Sequence, residues 1–315
     1  MKKCYVVILN FGRWQDTIEC LRTVFLSTYT NFCVCIIDNH SQNQSLERII
    51  EEIEKTPLKR FNSSNRITHH YISNEQISGF TPAQFADIVF VQNNRNAGFG
   101  AGNNLVLRSL LHEDAYIWLL NPDMTVNAST LEQLVLCAQE NPRAIIGSVT
   151  KSLQRPDVIL FYGGFKINYL LATVSPIKNL EKVHQIDYIS GGSLFIQSFH
   201  LREAGLLPED YFLYWEETDW CYRALKKGFP LTVCLKSFCF DKISTTIGRG
   251  FLSDYYYTRN GLIFLSKYKR WCLLTALPII LIRIMFRVLR GERQRAKGMI
   301  KGVIDFLTAK RYENK

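Results

Sequence analysis

The chain is short of several features that define common protein classes. It has no CxxC pair, no internal repeat and no low-complexity tract. Its nine cysteines are odd in number and scattered, so no disulfide framework is expected and they read as small core residues. The opening "MKKCYVVILNFG" holds an apolar run of about six residues, too short for a signal-peptide core, and reads as a buried first strand. The protein is therefore expected to stay in a reducing cytosol. The first 265 residues lack net charge. Of 38 Lys/Arg and 28 Asp/Glu, 13 and 3 fall in residues 266–315, so that tail carries the whole +10. A neutral body argues against nucleic acid as a partner, and a basic tail suits an anionic membrane surface. A membrane-spanning run is also missing. The longest apolar run of the tail, Trp271–Ile282, has 12 residues against the roughly 20 required. Arg283 ends it and Pro278 weakens it. Beyond it, bulky apolar residues mix with arginine at helical spacing, as in a helix lying in a membrane interface. The competing reading is a helix packed on the body.

What is present is a folded composition, 47% hydrophobic and 21% charged over 315 residues, enough for one large or two modest domains. "CYVVILN", "FCVCIIDN", "DIVFVQNN" and "AYIWLLNPD" read as buried strands. Between and after them "RWQDTIECLRTVFLST", "QSLERIIEEIEK", "GAGNNLVLRSLLHE" and "NASTLEQLVLCAQEN" have helical spacing, the last with Ser129 or Asn127 as a cap. Such alternation predicts an α/β fold with a mostly parallel sheet covered on both faces. Residues 57–88 break the rhythm with Pro57, "NSSN", His69, His70 and Gly79, and read as a loop or small insertion. After residue 145 shorter segments with Gly turns, "AIIGSVT", "ILFYGG", "IDYISGGSLFIQ" and "PLTVCLKSFCFD", suggest a mixed sheet edge. The expected organisation is a catalytic body over 1–265 and a basic amphipathic helical tail over 266–315.

Ligands of open α/β sheets bind beyond the carboxyl ends of the strands. Those ends read "LNFGRW", "DNHS", "NNRNAGFGAGNN" and "NPDM", all polar or Gly-rich. "GFGAGN" is not the dinucleotide fingerprint, which needs GxGxxG after the first strand. Gly98, Gly100 and Gly102 are expected to let backbone approach a sugar or phosphate. Asp123 in "NPD" is a cation candidate only with partners, and a nucleoside diphosphate supplies the rest of a usual Mg²⁺ or Mn²⁺ shell. "LPEDYFLYWEETDWCYRAL" packs Glu209, Asp210, Glu216, Glu217 and Asp219 among aromatic rings. Carboxylates in apolar surroundings gain unusual proton affinity. Adjacent Glu216 and Glu217 point about 100° apart on a helix, so they cannot face each other across a bond as a retaining glycosidase pair does. They are expected to split roles, one of them facing a local cation such as Arg223.

Taken in order, "LNFGRW", "IIDNHS", "NNRNAGFGAGNN", "LLNPDM", "SGGSLFI", "FLYWEETDWCYR" and "YYYTRNG" resemble the inverting family 2 glycosyltransferases, in the branch of rhamnosyltransferases of bacterial surface polysaccharide assembly, over residues 4–268. The resemblance implies a GT-A fold, a nucleotide-sugar donor, a divalent metal and one displacement at the anomeric carbon. Asn10 and Phe11 would lie beside the base and Asp38 would bond it. Asn94, Asn96 and Gly98 would border ribose and sugar. Asn121 and Asp123 stand where the family's DxD-type motif stands, with Asp123 facing the metal. Gly191, Gly192 and Ser193 would line the acceptor and sugar pocket, with Trp215, Asp219 and Trp220 around it. Glu217, where Asp is usual, would be the base, with Glu216 beside it. Asp241 stands where relatives often carry a metal-binding His. Arg259 is a candidate diphosphate partner. The implied enzyme sits on the inner face of a bacterial cell membrane and extends a lipid-linked glycan from dTDP-rhamnose. Alternatives are a UDP-hexose or UDP-galactofuranose donor, or a non-catalytic membrane-associated scaffold.

Overall fold

The computed structural model describes residues 1–61, 66–73, 76–77, 86–242 and 250–309. The first half alternates as its periodicity requires. β1 (Lys3–Asn10), β2 (Phe32–Asp38), β4 (Ile88–Gln92) and β5 (Ala115–Leu120) are buried nearly end to end. α1 (Trp14–Phe25), α2 (Ser45–Lys55), α3 (Gly98–Ser109) and α4 (Thr130–Glu140) cover them. β3 (His69–Ser73) and β6 (Met124–Val126) are short additions. The second half holds β7 (Ile145–Ser152), β8 (Ile159–Tyr162), β9 (Gly164–Asn168), β10 (Thr173–Pro176), β11 (Tyr188–Ile189) and β12 (Ser193–Gln197). α5 (Ser198–Ala204), α6 (Glu216–Lys226) and β13 (Leu231–Asp241) complete the body. Three helices follow, α7 (Phe251–Tyr268), α8 (Leu273–Leu289) and α9 (Arg293–Leu307).

The main sheet runs β3-β4-β2-β1-β5-β12-β7-β13-β6, with β8 beside β7. From β3 to β5 all neighbours are parallel, so the ends of β1, β2, β4 and β5 open on one edge. β12 is antiparallel to both β5 and β7, β13 is parallel to β7, and β6 is antiparallel to β13. A small sheet, β10-β9-β11, stands apart. Alternate residues feed two cores: Cys4, Val6 and Ile8 pack with α1 and α4, while Tyr5 and Val7 pack with α3 and the later helices. The α/β architecture with a mixed second half is as expected. All nine cysteines are unpaired and seven are buried.

Three expectations change. Inside residues 57–88 lies β3, an edge strand in parallel register with β4; "NSSN" and Gly79 fall outside the described residues. Ser129 occupies the N-cap of α4, but its side chain makes no capping bond, and Asn127 contributes only a backbone carbonyl to Thr130. The boundary between body and tail at 265/266 falls inside α7, and the tail is part of the core. Ala276, Ile280, Ile284, Ala296 and Met299 are buried in the same cluster as α6 and α7. At roughly 1.5–3 kcal/mol per buried Ile or Met side chain, Ile280, Ile284 and Met299 alone hold it firmly. Close packing of α9 on α7 depends on Gly298 and Gly302: a Cβ there would come within 2.3 Å of the Phe251 carbonyl oxygen and 2.7 Å of that of Tyr255.

Candidate active site

The strand ends are tied together before any ligand is considered. Asp38 is buried and accepts four hydrogen bonds, from Asn10 Nδ2 (2.7 Å), Ser41 Oγ (2.6 Å), Ser41 N (2.9 Å) and Gln92 Nε2 (3.0 Å). These donors occupy its acceptor positions, so Asp38 joins the ends of β1, β2 and β4. Asn39, which the motif reading passed over, is a second hub. It donates to Asn96 Oδ1 (2.8 Å) and accepts from Asn93 Nδ2 (3.0 Å) and Ala97 N (3.1 Å). Phe11 projects beside this cluster with half its surface exposed, and Asn94 is exposed at the neighbouring strand end.

The glycines of α3 allow close packing within the protein itself. A Cβ on Gly98 would stand 2.2 Å from the Phe212 carbonyl oxygen, one on Gly100 2.4 Å from that of Pro208, and one on Gly102 2.7 Å from Leu9. They admit the 205–215 loop and β1. Phe99 N donates to the Phe212 carbonyl (2.8 Å), and Asn104 bonds both the N–H and the carbonyl of Leu207. Helix and loop therefore form one body.

That loop presents the acids. Phe212, Tyr214 and Trp215 have φ of +67°, +62° and +75°. A non-glycine residue in this region costs roughly 1 kcal/mol or more, so three in four positions need strong external support. Directly after them Glu216 and Glu217 open α6. Among the described residues, three buried side-chain polar atoms lack a hydrogen-bond partner: Glu216 Oε2, Glu217 Oε2 and Arg259 Nε. Burial lifts the Glu217 carboxyl from 4.5 to about 7, against the pull of its own N–H and that of Gly191. Glu216 is only 3% exposed. Burial, and then the charge of Glu217, push its carboxyl well above the carboxylate range. Tyr188, Tyr214 and Cys221 also face this pair.

Gly191 and Gly192 lie between the acids and the "NPD" turn. A Cβ on Gly191 would be 3.7 Å from Glu217 Cδ, and one on Gly192 2.9 Å from Met124 Cε and 3.7 Å from Asn121 Nδ2. Asn121 N donates to the Gly192 carbonyl (3.0 Å). Asp123 is buried, and Asp241 pairs in register with Met124, the residue after it. These are the two expected cation ligands, and the β6–β13 register sets their backbones at neighbouring positions. Among the described residues no group of three His, Cys, Asp or Glu is assembled for a metal. His69 lies 4.0 Å from Glu54 on the far edge strand.

Four residues expected at the pocket are each engaged by the protein's own hydrogen bonds and packing. Ser193 Oγ is buried in a hydroxyl chain, accepting from Trp118 Nε1 (2.9 Å) and bonded to Ser148 Oγ (2.9 Å), which bonds Ser237 Oγ (2.8 Å). Trp220 is fully buried and donates to the Gly205 carbonyl (2.7 Å). Trp215 packs on Phe264 and donates to the Tyr257 carbonyl (3.1 Å). Asp219 accepts from Tyr211 Oη (2.7 Å), Arg223 Nε (3.0 Å), Tyr268 Oη (3.0 Å) and Lys267 Nζ (3.3 Å), so it anchors α6. Arg223 thus pairs with Asp219 and not with either glutamate. Arg259 is 7% exposed and donates from Nη1 to Asn260 Oδ1 (2.8 Å).

The chain is 28% identical to the low-salt glycan biosynthesis hexosyltransferase Agl10 of Haloferax volcanii across 158 residues, which make up 47% of this chain and 50% of that protein. The chain thus spans about half the length of this curated relative. Among solved structures it is similar to the mannosyltransferase PcManGT of Pyrobaculum calidifontis in complex with GDP-Man and Mn²⁺ (TM-score 0.58, 12% identity, covering 98% of this chain and 88% of that one). It is also similar to S. aureus TarS 1–349 in complex with UDP-GlcNAc (TM-score 0.56, 13% identity, 98% and 82%). At such identities these two establish a shared fold, GT-A-like with a mostly parallel central sheet. Residues 5–162 match the glycosyl transferase family 2 model, half of the chain, and the protein belongs to that family.

Proposed function

We propose that the protein transfers a sugar from a nucleotide-sugar donor to an acceptor hydroxyl in one inverting displacement. The observation that carries this reading is the pair of partnerless buried carboxylate oxygens at the start of α6, beside Gly191–Gly192 and across from the Asp123 turn. Leaving a buried polar atom unpaired costs roughly 1–3 kcal/mol, which an incoming acceptor hydroxyl would recover. Glu217, part-exposed where Glu216 is sealed, takes the acceptor proton. The acceptor oxygen bonds to the anomeric carbon as the bond from that carbon to the diphosphate oxygen breaks, and the nucleoside diphosphate departs. Burial and the charge of Glu217 favour the protonated form of Glu216. The base of the donor rests by Phe11 over the Asn10–Asp38 cluster. Ribose and sugar border Asn94, Asn96 and Asn121, and Arg259 contributes charge toward the diphosphate. Asp123 and Asp241 would hold Mg²⁺ or Mn²⁺, which neutralises the leaving diphosphate when bound.

The donor we favour is dTDP-rhamnose and the acceptor a lipid-linked saccharide in cell-surface polysaccharide synthesis; UDP-hexoses and UDP-galactofuranose are the competing donors. Thermal-shift measurements with dTDP-, UDP- and GDP-sugars plus Mn²⁺ test the reading. One donor class is expected to raise Tm, by about 2.7 kcal/mol of stabilisation at one hundred times its Kd. No shift with any class would refute it.

The tail supports a membrane-facing enzyme. Residues Arg270–Leu289 form a helical segment of 20 residues, long and apolar enough to cross a membrane; its most apolar 18-residue stretch has mean hydropathy 2.2 and is 17% buried. The 12-residue run therefore understates the segment, because α8 continues through Pro278 and Arg283. Its stripe Ala276, Ile280 and Ile284 is buried, whereas Leu274, Leu281, Met285, Val288 and Leu289 are exposed on one flank and the far side at 100° per residue. Arg270, Arg290, Arg293 and Lys297 form no ion pair among the described residues. We read α8 as lying in the interface of an anionic leaflet on the cytoplasmic side. Co-sedimentation should show binding to phosphatidylglycerol vesicles, weaker in high salt and on phosphatidylcholine. Leu281→Ser with Met285→Ser should reduce it several-fold without lowering Tm. Equal binding by the double variant would remove α8 from the interface.

A further inference from the structure

The acids stand on a backbone that does not hold itself. Between α5 and α6 the chain visits the left-handed region at Phe212, Tyr214 and Trp215. What restrains it comes from α7, about 45 residues later in the chain. Asn260 is completely buried. Its Nδ2 donates to the carbonyls of Tyr211 (2.8 Å), Leu213 (2.7 Å) and Tyr214 (3.2 Å), three of the four residues just before Trp215. An amide nitrogen has two hydrogens, so the two short bonds are full ones and the third is shared. The orientation of this amide is fixed from behind, because Arg259 Nη1 donates to Asn260 Oδ1 (2.8 Å). The next residue, Gly261, leaves room for Trp215: a Cβ there would lie 3.0 Å from the indole ring. Tyr257 O accepts from Trp215 Nε1, and Tyr256 stacks on Phe212 at 4.9 Å.

We propose that Asn260 is a positioning residue for the reaction: by gathering three carbonyls of the 211–214 segment it sets the left-handed turn that aims Glu217 past Gly191 at the acceptor. It does not touch the reacting atoms. The inference rests on the reading of Glu217 as base. Asn260→Asp keeps the shape but turns the donor into a carboxylate oxygen facing carbonyls, and Asn260→Ala removes it. A catalytic group misplaced by about 1 Å costs on the order of 10²-fold in rate. Both variants are therefore expected to lose about 10²-fold in kcat. KM and nucleotide affinity should stay within about threefold. The acidic limb of the pH–rate profile, set by Glu217 near 7 in the parent enzyme, should move in both, because the burial that sets it depends on the turn.

A merely structural role would lower Tm and leave the limb in place for the folded fraction. If the Asn260 variants do not fold, Gly261→Ala presses on Trp215 from the same helix and should show the same limb shift with a smaller kcat loss. Parent-like kcat and limb in whichever of these variants folds would overturn the inference. Glu217→Gln separates the two claims. If that variant stays active, the base assignment has failed. If it is dead while the folded Asn260 or Gly261 variants are parent-like, only the positioning role has failed.

Discussion

Glu217→Gln is expected to lower kcat by about 10³-fold or more while donor affinity stays within about threefold. The amide fills the same space but cannot take a proton. The side chain lies by Gly191 and is not one of the residues proposed to hold the donor or the cation, so donor binding should survive its change. Burial has raised the carboxyl to about 7, so the parent activity should climb with pH through that value as the base ionises. Stability runs the other way. A carboxyl whose folded value is raised contributes stability that is full below its ordinary 4.5 and is lost as pH climbs through about 7. The glutamine has no such loss. Between pH 5 and 8 the variant's Tm should therefore fall less than the parent's, while its activity is absent throughout. Kinetics and thermal melts on the same two proteins check both signs. A variant with parent kcat would move the base to Glu216.

Asp123→Asn is the second large effect. Asp123 is the buried carboxylate of the "NPD" turn, with Asp241 beside its neighbour Met124 across the β6–β13 pair. If Asp123 and Asp241 hold Mg²⁺ or Mn²⁺ as proposed, removing one of the two carboxylates takes away charge the cation needs and leaves the departing diphosphate poorly neutralised. Transfer should fall by about 10²–10³-fold. The Mn²⁺-dependent part of nucleotide binding, read as the Tm difference with and without a chelator, should vanish. Asp241→Asn should act in the same direction and more weakly. A metal-dependent shift of parent size in Asp123→Asn would take the cation away from this turn.

Much of this was legible in the sequence, for a physical reason. Parallel strands covered on both faces must be continuous apolar runs, so β1, β2, β4 and β5 stand out and their polar ends mark the ligand edge. β3 escaped because it is a five-residue edge strand, "HHYIS", with its first three residues exposed. The Gly98–Gly102 series was legible as close approach but not as approach to what: its partners, Pro208 and Phe212, lie over 100 residues away. Ser193, Trp220 and Asp219 sit inside the right motifs, yet local sequence does not say which side of a turn or helix faces the cleft. Asn39 and Asn260 were missed for a related reason. Their work is hydrogen bonding to distant backbone and amide groups, and the available signal was only an amide placed where burial was expected. The adjacent glutamates could be ranked only once burial distinguished the sealed Glu216 from Glu217.

The most direct test of the central claim is release of nucleoside diphosphate by the purified protein with Mn²⁺, a polyprenyl-linked saccharide acceptor and, in turn, dTDP-, UDP- and GDP-sugars. Acceptor-dependent release from one donor class, abolished by Glu217→Gln and rising with pH through about 7, is the expected result. No release from any donor class, or release that Glu217→Gln leaves intact, would contradict it.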